Sequence, residues 1–110
     1  VQDLAWSPNS KQLIFSAQYG KADWSDYKPE RWQVILYNFK SKKLRLLAEG
    51  AMFAAFSPDG SAVAYSKYRS GNWDIAILNL HTGDERLLAA DTSLRESGPS
   101  WSPDGRHIVF

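Results

Sequence analysis

His81 and His107 are the two histidines of this 110-residue chain, which has no cysteine, and they bound the chemistry it can carry. A nucleophile needs a base within hydrogen-bond reach, and neither histidine has a second one nearby at metal-ligand spacing. Gly-x-Ser-x-Gly is missing, as is any glycine-rich phosphate loop, and Asp59-Gly60 has no calcium-loop spacing after it. Asp23 and Asp26 could hold a cation weakly or be two solvated loop acids. The sequence therefore predicts no catalytic residue, no metal site and no cofactor.

Recognition chemistry is better represented. The stretch from Gln18 to Arg31 has no strand period, yet it sets Tyr19, Trp24, Tyr27 and Arg31 among charges. Aromatics and arginine on an exposed loop are what interface hot spots are made from, and long ordered loops tend to be functional. Either these residues meet a protein partner, or Trp24 folds back over a sheet edge with the tyrosines beside it. Lys67, Tyr68 and Arg69 repeat the idea in a second expected loop, from Lys67 to Asn72. Thirteen basic residues against twelve acidic ones leave a net charge of +1 with no charged block. That balance offers no footprint for nucleic acid, and no run is apolar for long enough to cross a bilayer.

The elements that must position these loops come from an internal repeat. Ala5-Trp6-Ser7-Pro8-Asn9-Ser10 returns as Ala55-Phe56-Ser57-Pro58-Asp59-Gly60 and as Ser100-Trp101-Ser102-Pro103-Asp104-Gly105. Each copy leads into a β-rich run ending in an aromatic: Phe15, Tyr65 or Phe110. Two longer apolar runs, 32–39 and 73–80, align with one another, and each passes through a polar turn into an Arg-Leu-Leu strand. The period of about 45 residues suits a four-stranded propeller blade. In the turn, proline presets φ, the next residue bonds neighbouring amides, and the fourth takes a left-handed backbone. Ser10 stands where glycine stands in the other two copies and is expected to be a soft spot of about 1 kcal/mol.

Residues 75–78 are apolar on both faces, which requires a sheet covered on both sides. Lys43, Arg45, Glu85 and Arg86 decorate the last strand of each unit, as an outer edge needs. Together these features predict an all-β chain forming part of a β-propeller, with blades over 1–48 and 49–92 and the first two strands of another over 93–110. The linkers fall at Glu49–Phe53 and Ala90–Pro99, and Trp32 and Trp73 belong to blade packing. An apolar blade face is expected to lie uncovered at each end. The abrupt start at Val1 and the stop at Phe110 suggest ends set inside a longer propeller.

The Ser-Pro-Asp-Gly turn behind an aromatic, followed by the Asp74-Ile75 strand, resembles the WD-like repeat of the TolB propeller family. The stretch from Leu87 to Ser100 is similar to a linker between late blades of that family, with Arg95 in place of an aspartate and Gly98 added before the proline. The resemblance implies a non-catalytic, periplasmic, protein-binding propeller whose partner is a Pal-like lipoprotein or another Tol component. The same repeat implies two alternatives: the gating propeller of a prolyl-oligopeptidase-like serine peptidase, or a sensor or carbohydrate-binding propeller.

Overall fold

The structure, a computed structural model, describes residues 2–18, 31–69, 71–92 and 98–109. Among the described residues, ten strands form three antiparallel groups. The first sheet runs β1 (Gln2–Trp6), β2 (Gln12–Gln18), β3 (Trp32–Asn38) and β4 (Lys43–Glu49) in chain order. The second repeats that order with β5 (Ala51–Phe56), β6 (Ala62–Arg69), β7 (Asn72–Asn79) and β8 (Glu85–Thr92). A pair, β9 (Ser100–Trp101) and β10 (Ile108–Val109), follows. These are four-stranded blades of a propeller: β5 packs against β1, β2 and β3 of the preceding sheet, and β9 packs against β5.

The three Ser-Pro turns share one network. Ser7, Ser57 and Ser102 each donate a hydroxyl proton to the side-chain oxygen two residues on. Each serine hydroxyl also accepts the amide five residues on, at 3.0 Å. Serine thus closes the turn from both sides, a role additional to the Pro-Asp-Gly logic. The turns nest in series, because a Cβ added at Gly60 would meet Pro8 Cδ at 3.6 Å and one at Gly105 would meet Pro58 Cδ at 3.6 Å. Ser10 has φ 60° where Gly60 has 78° and Gly105 has 74°. Ser10→Gly is therefore expected to stabilise the chain by about 0.5–1 kcal/mol, the left-handed cost less the entropy that glycine adds. An increase in the urea midpoint at unchanged slope would show it.

Strand β7 is covered on both faces, with Ile75, Ala76 and Leu78 all buried. The Ala76 and Leu78 side joins Ile14, Val34 and Leu36 of the first sheet in the main core. Strand β3 departs from the expected pattern. Val34 and Leu36 are buried, but Ile35 and Tyr37 are only half-buried. Their face carries Trp6, 59% exposed, and Leu44, 65% exposed. Trp6 thus differs from Trp101: it stacks on Phe39 at 5.3 Å, with no sheet beyond it among the described residues.

Three expected connections are shorter than the sequence suggests. Lys67, Tyr68 and Arg69 continue β6 and pair with Asp74, Trp73 and Asn72. Their polarity hides a strand whose cross-strand partners keep it in register, and the turn needs little more than Gly71 at φ 86°. Gly50 alone separates β4 from β5, so Glu49 and Ala51–Phe53 belong to strands. Likewise β8 runs to Thr92 and takes Ala90–Thr92 out of the expected linker.

Candidate partner-binding surface

The sheet-to-sheet crossings and the β6–β7 hairpin lie at one mouth of the blades, and the Ser-Pro turns lie at the other. At the crossing side, Trp32, Met52 and Trp73 form a buried cluster on which Phe53 and Tyr68 pack. Tyr68 meets Trp73 edge-on, ring centroids 5.5 Å apart. Its amide donates to the Gly50 carbonyl at 2.7 Å, tying the hairpin to the crossing between sheets. Lys67 Nζ lies 2.7 Å from Glu85 Oε1. Arg31 is half-buried just before β3, and Arg69 is exposed at the end of β6. The structure therefore gives Lys67 an ion pair and Tyr68 a packing role, and leaves the Arg69 side chain on the surface. Tyr19, Trp24 and Tyr27 lie outside the described residues.

Burial, with the Glu85 carboxylate beside it, pushes the Tyr65 phenol well above its ordinary value. Burial alone would raise Glu85. Hydrogen bonds from Lys67 and Tyr65 outweigh that effect and, with the charges of Lys67 and Arg69, hold its carboxyl below the usual range. The Tyr65 hydroxyl donates to Glu85 Oε2 across β7, where Ala76, the register partner of Tyr65, is small enough to let the ring pass. By sequence Glu85 is an edge charge; in the fold it is paired with Lys67 and Tyr65. Its signal lay in the repeat itself, since the first sheet has Phe15, Ala17 and Leu44 at the positions of Tyr65, Lys67 and Glu85.

On the turn side, two clefts lie between successive Ser-Pro turns. One, of about 390 Å³, is walled by Asp59, Asp104 and Trp101. The other, of about 320 Å³, has Asn9, Asp59 and His81 in its lining. Asp59 accepts the Ser61 amide and the Ser57 and Ser61 hydroxyls, which lower its carboxyl to about 2. The Ser102 hydroxyl and the Arg106 amide lower Asp104 in the same direction. Depressed carboxylates stabilise the fold above their unfolded value, ~3.9, and lose that contribution as pH falls through the folded value. Acid titration is expected to weaken the chain between about pH 4 and 2, and Asp59→Asn should flatten that part of a stability–pH curve.

The sequence had given no hint that Asn38 and Asn79 organise the outer turns. Each Oδ1 accepts two following amides, Lys40 and Ser41 in one turn, His81 and Thr82 in the other. Among the described residues, no group of three or more His, Asp or Glu side chains could hold a metal ion.

The chain matches no family model. It is 31% identical to TolB from Acinetobacter baumannii in that protein's crystal structure, over 97% of this chain and 25% of that one, with a TM-score of 0.73. A second likeness is to the Tol-Pal system protein TolB of Alcanivorax borkumensis, 40% identical over 63 residues, which are 56% of this chain and 14% of that protein. The β-propeller domain of the Trilobed protease from Pyrococcus furiosus shares the fold at 16% identity and a TM-score of 0.76, over 97% of this chain and 32% of that domain. The chain spans between 10% and 18% of the length of the curated relatives it matches. Shared turns, sheet order and the likeness to TolB over nearly all of its residues make this chain a TolB-like β-propeller segment.

Proposed function

We propose that these blades serve in a non-catalytic, protein-binding propeller of the periplasm, acting like TolB in an envelope-integrity system and meeting a Pal-like lipoprotein. The observation that supports this reading most is the 31% identity to a TolB across 97% of the chain. The build of the crossing side agrees with it. Buried Trp32, Met52 and Trp73 make a firm base on which Tyr68 of β6 packs, and Arg69 is exposed at the end of the same strand. Interface energy concentrates in such aromatic and arginine groups. Tyr19, Trp24, Tyr27 and Arg31 belong to the same proposed surface.

Purified Pal titrated against the polypeptide carrying these blades tests the reading. Saturable binding is expected, with Arg69→Glu weakening it by about tenfold and His81→Glu on the opposite side leaving it unchanged. Absence of binding at 100-fold excess would remove the Pal assignment. A gating propeller of a serine peptidase is the competing outcome, and its polypeptide would continue into an α/β-hydrolase with a Gly-x-Ser-x-Gly elbow.

A further inference from the structure

Four buried side-chain atoms among the described residues lack a hydrogen-bond partner, and three of them gather at the crossing end of the first sheet. They are Asp3 Oδ2 on β1, Ser16 Oγ on β2 and Trp32 Nε1 on β3. Strand pairing brings them side by side. The Asp3 bulge lies between the Gln2–Ser16 and Ala5–Ile14 pairs, so it adjoins Ser16. Ser16 in turn pairs with Val34, two residues from Trp32. Register partners, and every second residue along a strand, share one face of a sheet. Ser16 therefore shares its face with Ile14, Val34 and Trp32, and Ile14 and Val34 belong to the core that joins the second sheet. Asp3 is directed the same way by the repeat. Its counterpart Phe53 aims its Cβ at Gly98 of the following sheet, and the two residues share a left-handed backbone, with φ 57° and 59°.

Burying a donor or acceptor with no partner costs the whole of its desolvation, and little water reaches these groups. Ser16 is wholly inaccessible and Trp32 is 8% exposed. The Trp32 ring lies in apolar company, against Met52 and Trp73. One small occupant satisfies all three. The carboxylate oxygen only accepts, the indole N–H only donates, and the serine hydroxyl does either. A cation could meet Asp3 but not the indole, and an anion could meet the indole but not Asp3. We propose that a bound water sits at this junction, donating to Asp3 Oδ2, accepting from Trp32 Nε1 and bonding Ser16 Oγ. Three partners are about the number an internal water has. The water ties β1, β2 and β3 together beneath the crossing into the second sheet. The second sheet does not repeat the site. Phe53 stands there in place of Asp3, so Ser66 Oγ, the fourth unpartnered atom, has no matching carboxylate beside it. Nothing in this hydration site depends on the partner proposed above.

Magnetic cross-relaxation between water and the Trp32 indole proton tests it in the polypeptide carrying these blades. The indole resonance is assigned by its loss in Trp32→Phe. A cross-peak with the sign of a long-lived water is expected. Ser16→Ala should keep that cross-peak, which excludes relay through the serine hydroxyl, and Asp3→Leu should abolish it. Absence of the cross-peak in the unsubstituted protein would overturn the proposal, since the three groups would then find partners without water. Its loss in Ser16→Ala, or its survival in Asp3→Leu, would do the same. So would movement of the Trp32 resonance on adding sodium or calcium chloride, because a cation would then be the occupant.

Discussion

Gly98→Ala is expected to detach the β9–β10 pair from the second sheet while leaving the first two sheets folded. A Cβ at position 98 would overlap Phe53 Cβ and lie 2.5 Å from the Phe53 carbonyl oxygen, a distance that real side chains do not adopt. The Phe53 backbone cannot yield readily. It sits at φ 59° in a bulge of β5, between the Met52 and Ala55 pairings with β6. Of the two sides, the pair is the weaker, since an isolated two-stranded hairpin is marginal in water. The lowest-energy response is for β9 to swing off β5 and give up the bond from Trp101 to Ala55. Overpacking of this kind costs about 3 kcal/mol, so exchange of the Trp101 indole proton should rise about a hundredfold. Phe53→Gly in the same protein removes the Cβ overlap but not the carbonyl one and should restore only part of the protection. Unaltered Trp101 exchange in Gly98→Ala would show that the crossing is looser than the geometry requires.

Gly98 also illustrates what a single sequence reveals and what it conceals. Compared with the TolB family pattern, it looks like an inserted residue. In the fold it is the third-sheet counterpart of Asp3 and Phe53, the bulge residues of β1 and β5, both left-handed. Asp is enriched at positive φ but is too common elsewhere to mark it, and Phe is disfavoured there, so the bulges were invisible. The Ser-Pro turns were legible because each position is dictated locally by proline, a short acceptor and a residue tolerant of positive φ. Even the strained Ser10 followed from its place in the repeat. The β6–β7 hairpin was misread as a loop because Lys67, Tyr68 and Arg69 are polar, and only their pairing with Asp74, Trp73 and Asn72 makes them strand. For the proposed partner surface, the sequence pointed to aromatics and cations. It could not separate Arg69, which stays exposed, from Lys67 and Tyr68, which the packing engages.

Replacing Glu85 alone by leucine is expected to cost about 2–3 kcal/mol, whereas changing Tyr65, Lys67 and Glu85 together to Phe, Ala and Leu should cost less than about 1 kcal/mol. The asymmetry follows from burial. Tyr65 is wholly inaccessible in the core between the sheets, so removing its acceptor strands a hydroxyl that cannot reach water. Lys67 adds little to the penalty, because a partly exposed ion pair contributes only about 0.2–1 kcal/mol. The triple replacement removes donor, acceptor and counter-charge at once and installs the Phe15, Ala17 and Leu44 set that the first sheet already carries. Denaturant midpoints for the single, double and triple variants close the cycle, and a coupling near zero between positions 65 and 85 would sink the idea. A strong coupling would show that one blade scaffold accepts either of two complete solutions at this junction. A mixture of the two would be the costly state, which explains why the three residues differ together between sheets whose turns are otherwise so similar.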